Sequence, residues 1–502
     1  MTGGSVIFLV LVLGVAALGF MAARWGHANL ASLDEWALGG RRFGTVVSWF
    51  LLGGDLYTAY TFIAVPALAF GAGALAFFAV PYTTIAYPLA FLVMARFWTV
   101  AKRRGYVTTA DFVHDRFGSR PLELAVAITG VVATMPYIAL QLIGVQVILE
   151  RSGIAPTHGS AVTMLIIAFA LLAAYTFTSG LRAPAMIAFV KDTLIYLTVI
   201  VAVILIPKSL GGWAHVFSLA QAALAAKPKP GSTIIPPNMY FAYSSLALGS
   251  ALALFIYPHS ITSVLSARSA NVIRRNCALL PLYSILLTLI ALLGYCALAA
   301  HIRVADPNFA IPDLFTRFFP NWFAGVAFAA IVIGALVPAA IMAIGAANLF
   351  ASNIMQTFQT RQIRPPVETR VARIIALFVL AGGLAIALFI KPAYAIEFQL
   401  LGGAWIVQIF PAVIIALYTR WFHRHALLAG WAAGLAAATW MAQAANFTTT
   451  IFPLHLGGFT LPGYIAFYAL LVNLAVTVVC TFAFNIAKAD RGADLTSAAD
   501  YA

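Results

Sequence analysis

Long apolar runs recur along nearly the whole chain, with only short polar gaps between them. A transmembrane helix takes roughly 20 mostly apolar residues. Hydrophobic residues make up 63% of the chain and charged residues only 9%, whereas soluble domains average about 25% charged residues. The sequence therefore excludes a soluble globular protein. It predicts an all-α integral membrane protein that forms one polytopic domain in the lipid bilayer.

Apolar runs bounded by Gly, Pro and charge clusters predict thirteen transmembrane helices, which place the two termini on opposite sides. If the N-terminus is outside, about three quarters of the 29 Lys and Arg residues fall on the opposite side, and such residues accumulate in the cytoplasm. We therefore expect an outer N-terminus and a cytoplasmic C-terminus. The same bias explains the net charge of +14 without a nucleic-acid partner. The first apolar run lacks a preceding positive region, so we expect a retained helix and not a cleaved signal peptide.

A glycine-rich stretch with a carboxylate interrupts the second apolar run. It reads GGDLYTAY over residues 53–60. Ionisable groups inside a membrane are costly and mark transport sites by default. Irregular backbone at this depth is tolerated only where it is buried or lines a cavity. Asp55 is therefore the first candidate functional residue. The alternative is that Asp55 caps the second half of a broken helix, and the two roles are compatible.

A second cluster of Gly, Ser and Tyr, at residues 241–250, lies inside a later apolar run. Many secondary transporters contain inverted repeats that each open with a broken helix, and the substrate binds near the midplane. Small residues also occur where membrane helices pack, which is the alternative interpretation. On the repeat interpretation the chain divides into an N-terminal helix and cytoplasmic loop (1–42), a first repeat (43–206), an outer loop (207–240), a second repeat (241–420), and two C-terminal helices with a short cytoplasmic tail (421–502).

An ordered set of short motifs resembles a known family. The motifs are DEWALGGRR at 34–42, VPALAFG at 65–71, YVTTADF at 106–112, RFGSR at 116–120, SGLRA at 179–183 and PAVIIALY at 411–418. Together they resemble bacterial members of the sodium:solute symporter family over most of the chain. Within that family the chain looks most like the monocarboxylate permeases for lactate, pyruvate and sometimes alanine, chiefly through residues 53–60 and 189–193. The resemblance implies a LeuT-type fold of five plus five helices, with a broken first helix in each repeat, in a bacterial inner (plasma) membrane.

The resemblance also implies an ion site, and this chain departs from it. In sodium-coupled members, backbone carbonyls and two adjacent hydroxyl side chains hold one ion. The carbonyl positions correspond here to Gly54, Tyr57 and Ala340, and the hydroxyl positions to Ala343 and Ile344. Neither of these two side chains can coordinate a cation, and a buried charge without partners is costly. We therefore expect the usual sodium site to be altered.

Lys191 offers a substitute for the ion, because in such a fold its helix passes beside that site. A buried lysine has a lowered proton affinity, so we expect Lys191 to load and release a coupling proton. The alternative is that its long side chain extends to the cytoplasm. Asp192 is adjacent, about 100° around the helix, which argues against a same-face pair. It matches an aspartate of the family and is expected to line the inner ion path.

A small carboxylate needs amide or hydroxyl donors, which helix breaks and polar side chains can supply. Asp55 is unfavourable beside an anion unless it is protonated or paired, which keeps alanine or another zwitterion in consideration. The candidate substrate-binding residues are Asp55, Tyr57, Thr58, Tyr60, Tyr82, Tyr243, Ser244, Ser245 and Gln399.

The sequence thus predicts a secondary active symporter for small monocarboxylates that is coupled to protons. The alternative is a sodium-coupled symporter for an amino acid or another small organic solute. A sensor is disfavoured because no soluble output domain is present, and an enzyme because the apolar spans contain no HExxH, GxSxG or paired-carboxylate motif. We expect no cofactor or metal apart from the coupling ion, and a monomeric functional unit.

Overall fold

Apolar helices make up most of the structure, a computed structural model that describes residues 3–25, 30–54, 57–155, 157–358 and 364–501. Within these residues, ten helices are long and apolar enough to cross a membrane, and one bent pair adds an eleventh. The prediction of a helical, multi-pass membrane protein is therefore confirmed. Asp55 lies outside the described residues.

The helices follow one another with short connections. In chain order they are α1 (Gly3–Met21), α2 (Leu33–Leu38), α3 (Thr45–Gly54), α4 (Val65–Ala72), α5 (Ala79–Arg104), α6 (Thr109–Phe117), α7 (Arg120–Arg151), α8 (His158–Ser179), α9 (Arg182–Ser209), α10 (Trp213–Ala225), α11 (Tyr240–Leu254), α12 (Pro258–Leu265), α13 (Ala270–Leu279), α14 (Pro281–Ala299), α15 (Ala310–Phe318), α16 (Asn321–Leu349), α17 (Met355–Thr357), α18 (Pro365–Phe389), α19 (Ala395–Ile406), α20 (Phe410–Val413), α21 (Arg424–Ala444) and α22 (Ile465–Ile486).

A β-hairpin between the last two helices corrects the all-α prediction. Strands β1 (Ile451–Leu456) and β2 (Phe459–Tyr464) pair antiparallel. They are joined by two glycines, Gly457 and Gly458, and a glycine pair between short apolar runs is a hairpin signal. The hairpin is anchored to α11, because the Tyr464 amide donates to Ser245 Oγ at 2.9 Å.

The first discontinuity flanks residues 55 and 56. Helix α3 ends at Gly54, and a π-helical segment, Tyr60–Ala64, leads into α4. Thr58 caps this second half: its carbonyl accepts from the amides of Thr61 (3.0 Å) and Phe62 (3.1 Å), and its Oγ1 accepts from the amide of Tyr60 at 3.1 Å. Whether Asp55 shares this capping role is a prediction that falls outside the described residues.

The second discontinuity lies at residues 255–257, so its prediction at 241–250 was wrong. Helix α11 runs unbroken to Leu254, and α12 leaves it at an angle of 49°. Pro258 begins α12 and forces Tyr257 into an extended conformation, with ψ 143°. The small residues of 241–250 serve packing instead. A Cβ on Gly249 would lie 2.7 Å from the Tyr464 ring. At Gly249 the small residue therefore permits close packing, which was the alternative interpretation of this cluster.

Helix α16 lies at the centre of the molecule. The most apolar stretch of 18 residues in this helix is completely buried. The helix packs against α1, α7, α9, α12 and α18. Helix α16 also contacts α3. This arrangement brings the predicted ion-site positions 340–344 into the region where both halves of the chain meet.

Candidate functional site

The Lys191 side chain of α9 is completely buried and points at the first helix break. Its Nζ donates to the carbonyl oxygen of Gly54 at 2.7 Å and of Tyr57 at 3.3 Å. These are two of the three carbonyls that the family resemblance assigned to an ion. The Lys191 ammonium therefore binds backbone carbonyls at the end of α3 and just beyond it. The lysine side chain does not extend to the cytoplasm.

Asp192 pairs with this lysine although the two residues are adjacent. Its Oδ1 lies 3.1 Å from Lys191 Nζ, and neither side chain is exposed. The two residues do not share a helix face, as expected, but the four-carbon lysine stem bends across the 100° between neighbouring helical positions. Asp192 Oδ2 also accepts a hydrogen bond from the Tyr283 hydroxyl at 2.8 Å.

Aromatic rings enclose the ion pair. The ring centroids of Tyr57 and Tyr283 are 4.4 Å apart, and that of Tyr196 lies 5.9 Å from Tyr57 and 6.1 Å from Tyr283. Tyr57 itself is fully buried, and its hydroxyl donates to the Tyr283 carbonyl at 3.3 Å. In such water-poor surroundings charge interactions are stronger than in water. The ion pair is therefore tightly held in this conformation.

Two glycines make room for this arrangement. A Cβ on Gly53 would lie 2.1 Å from the Tyr283 ring, and one on Gly54 would lie 2.9 Å from Lys191 Nζ. Such distances are shorter than any van der Waals contact. The glycines that weaken the helix at this point are therefore also the residues that admit Tyr283 and Lys191.

Ala340, Ala343 and Ile344 are fully buried in α16, and they offer no side-chain oxygen. A sodium ion here would compete with the ammonium for the carbonyls of Gly54 and Tyr57. Two cations in one buried site repel strongly. The residues present fit a protonated lysine at this position better than they fit a bound sodium ion.

A small cavity lies beyond Tyr60, between both helix breaks. Three of the predicted substrate-binding residues line it: Tyr60, Tyr82 and Gln399. The described residues that line it directly include no Lys, Arg, Asp or Glu. Its full lining is Tyr60, Tyr82, Tyr137, Ser250, Ala253, Leu254, Tyr257, Gln399, Leu400, Gly403 and Tyr464.

Three buried oxygen atoms of this lining have no hydrogen-bond partner among the described residues. They are Ser250 Oγ, Tyr257 Oη and Gln399 Oε1. Buried polar atoms are nearly always hydrogen-bonded in native proteins. Three such atoms around one cavity indicate a site that completes its hydrogen bonds with a polar ligand.

The remaining predicted substrate residues lie elsewhere. The Tyr243 hydroxyl donates to the carbonyl of Phe77 at 3.1 Å, and Ser244 is exposed. Ser245 anchors the hairpin, Tyr57 encloses the ion pair, and Thr58 caps a helix. These side chains do not line the cavity.

Sequence reasoning missed four polar members of the lining: Tyr137, Ser250, Tyr257 and Tyr464. The signal for Tyr257 was the proline that follows it, since the residue before a proline is a probable helix boundary. Placing the break there would have directed attention to Tyr257 and to the last two turns of α11, which carry Ser250. Tyr137 and Tyr464 reach the cavity from distant elements and gave no local signal.

Replacing Tyr283 with Phe tests the ion pair. The variant removes the hydrogen bond to Asp192, and a hydrogen bond to a charged group contributes about 1.5–3 kcal/mol. We expect a lower thermal unfolding midpoint in detergent. Tyr295→Phe is the matched control, because Tyr295 lies on the same helix, is equally buried, and its hydroxyl has no partner among the described residues. Equal midpoints for the two variants would contradict the role of Tyr283.

Comparisons with known proteins identify the family and the fold. The family model "Sodium:solute symporter family" matches residues 36–434. A "Monocarboxylate transport permease protein" of Rhizobium johnstonii is 50% identical and is matched over 94% of this chain and 95% of its own. An "Uncharacterized symporter", YodF of Bacillus subtilis, is 38% identical, with 86% of each chain covered. The structure of a Na+-coupled sialic acid symporter shares the fold, with a TM-score of 0.77 at 14% identity over 96% of this chain and 98% of that one. The chain is a membrane transporter of the sodium:solute symporter family and not an enzyme.

Proposed function

We propose that this protein is a secondary active symporter that imports small monocarboxylates, namely lactate, pyruvate and also alanine, together with protons. The observation that carries the coupling mechanism is the bond from Lys191 Nζ to the carbonyls of Gly54 and Tyr57. The observation that supports the solute class is the 50% identical relative described as a monocarboxylate permease.

The cavity chemistry is consistent with a small organic acid. Tyrosine and serine hydroxyls can donate hydrogen bonds to a carboxylate. The Gln399 amide provides both a donor and an acceptor for the second functional group of lactate or alanine. Hydroxyl donors suit an anion that must also be released, because they bind it without the permanent charge of an arginine.

The environment of Lys191 supports the proposal of proton coupling. A protonated lysine neutralises Asp192 and satisfies the two carbonyls. Loss of that proton leaves the buried Asp192 carboxylate and the carbonyls of Gly54 and Tyr57 without a cationic partner. Such a loss is costly. A neutral Lys191 therefore destabilises the present arrangement of the first break. Tyr60, which lies three residues after Tyr57, lines the cavity. Proton release and solute release are linked through this segment.

We further propose thirteen transmembrane spans in a LeuT-type arrangement of five plus five. The ten long helices and the bent pair supply eleven. The shorter helices on either side of residues 55 and 56 form one more, and Arg424–Ala444 forms the last. The N-terminus is outside, the C-terminus is cytoplasmic, the protein resides in a bacterial inner membrane, and the monomer is the functional unit.

The second candidate is a sodium-coupled symporter for an amino acid or a related solute. The description of the family model favours it. In that case, Lys191 would be structural and sodium would bind elsewhere.

Uptake into proteoliposomes distinguishes the two candidates. We expect labelled lactate or pyruvate to accumulate when an inward proton gradient is imposed in the absence of sodium, and unlabelled alanine to compete. Accumulation that follows a sodium gradient and ignores the proton gradient would refute proton coupling. Absence of lactate and pyruvate transport under both gradients would refute the solute class.

Lys191→Ala should abolish accumulation against a gradient while it spares exchange of internal for external solute. The reason is that exchange needs the cavity but not net proton movement. Lys208→Ala is the matched control, since Lys208 lies near the end of the same helix and is exposed. Full accumulation by Lys191→Ala would remove the role proposed for this residue.

Tyr257→Phe should weaken solute binding, because the cavity loses one free hydroxyl. A hydrogen bond to a charged group is worth about 1.5–3 kcal/mol, which corresponds to a rise in KM of roughly tenfold or more. Tyr243→Phe removes a hydroxyl that bonds outside the cavity and should leave KM unchanged. A KM that responds equally to both substitutions would place the binding site elsewhere.

A further inference from the structure

The packing interface between α7, α12 and α16, here called the seam, is closed and begins beside the cavity at Tyr257. A Cβ on Gly130 of α7 would lie 3.2 Å from Pro258 Cγ and 2.4 Å from Leu349 Cδ1. A Cβ on Gly345 of α16 would lie 2.8 Å from the backbone nitrogen of His259. The three helices therefore touch through glycines, and the seam extends from the second helix break to the end of α16.

Buried polar groups along the seam have no hydrogen-bond partner in the described part of the chain. They are His259 Nδ1, Ser263 Oγ and both amide atoms of Asn348, and each of these residues is at most 1% exposed. Ser263 lies one turn after His259 on the same face of α12. Asn348 lies three residues after Gly345 on the corresponding face of α16.

His259 connects these groups to the cavity. Its ring lies 5.2 Å from that of Tyr257 and 5.5 Å from that of Tyr137, and both tyrosines line the cavity. Unpartnered buried polar groups require an explanation, such as water that enters in another conformation. A row of them between helices, leading away from a ligand cavity, is the pattern expected of a path that fills with water when it opens.

A hydrogen-bonded latch closes the far end of the seam. Asn353 lies in a π-helical segment, Phe350–Ile354, that continues α16. Its Nδ2 donates to Asp111 Oδ1 at 2.7 Å and to Glu123 Oε1 at 3.0 Å. Its Oδ1 accepts from Thr108 Oγ1 at 2.8 Å. This one amide, which is 1% exposed, joins the end of α16 to the turn before α6 and to α7.

The latch directly adjoins the seam. Thr108 and Thr109 line a small cavity together with Pro258, Thr262, Gly345 and Leu349. Thr108 is therefore both a wall of the seam and a partner of Asn353. Separation of this turn from α16, whose Gly345 and Leu349 form the facing wall, would open the cavity, and it requires the hydrogen bonds of Asn353 to break.

We propose that this seam is the route by which water and the transported solute reach the cytoplasm, and that Asn353 is the positioning residue that holds it closed. The proposal rests on the proposed function, because it assigns the exit to the same cavity. The latch resists opening through two hydrogen bonds to carboxylates, which are stronger than bonds between neutral groups. The π-helical segment provides the local irregularity at which such a contact can be released.

Thiol accessibility tests the proposal without any solute or gradient. The native cysteines, Cys277, Cys296 and Cys480, are replaced by Ala, and Thr262→Cys places a reporter in the small cavity. The rate of its modification by a methanethiosulfonate reagent is measured on protein purified in lipid nanodiscs. Asn353→Asp keeps the side-chain shape but sets a third carboxylate against Asp111 and Glu123. We expect the rate to rise roughly tenfold or more, as the loss of about 1.5–3 kcal/mol from the closed state implies.

Ser352→Ala is the matched control, because Ser352 lies in the same π-helical segment but donates to Glu368 Oε1 at 3.0 Å. It should leave the rate unchanged. An unchanged rate in Asn353→Asp, or an equal rise in both variants, would overturn the proposal. If Asn353→Asp does not purify, Asn353→Ala removes all three hydrogen bonds of the latch. It should also raise the rate, and an unchanged rate in that variant would likewise contradict the proposal. Since uptake assays with lactate test the transported solute separately, failure of one proposal can be distinguished from failure of the other.

Discussion

The burial of a single ammonium group governs the architecture around the first helix break. A buried charge is tolerated only with close partners, and Lys191 has three: the carbonyls of Gly54 and Tyr57 and the carboxylate of Asp192. Each neighbour is suited to that charge. Gly54 has no Cβ to obstruct it, and Tyr283 holds the second carboxylate oxygen. Ala343 and Ile344 occupy the positions at which the family's sodium site has hydroxyl side chains.

The cavity and the ion pair are joined by a short piece of backbone. Tyr57 contributes its carbonyl to the lysine, Thr58 caps the next helical segment, and Tyr60 begins that segment and lines the cavity. In the proposed mechanism, a change in the charge of Lys191 reaches the cavity over less than one helical turn. Coupling between a proton and a solute needs two arrangements of this segment with different affinities for each ligand.

Local signals in the sequence located the first helix break but not the second. Glycines next to a carboxylate in an apolar run identified the first break, and the absence of hydroxyl residues at 343 and 344 drew attention to Lys191. The second break was predicted about ten residues too early, because small residues indicate both breaks and close packing. The proline at residue 258 was the better signal, since it constrains the backbone of the residue before it. The hairpin at 451–464 was missed because the long apolar helices dominated the interpretation of that region.

The sequence alone determined the membrane environment and the helical class, because these depend on composition and on local backbone preferences. Only the tertiary structure decided that Lys191 meets Asp192, that Tyr137, Ser250, Tyr257 and Gln399 converge on one cavity, and that Asn353 joins three elements. Those contacts bring together residues that are far apart in the chain or that point in different directions on one helix. Their distances follow from how the helices pack, which no local pattern of residues specifies.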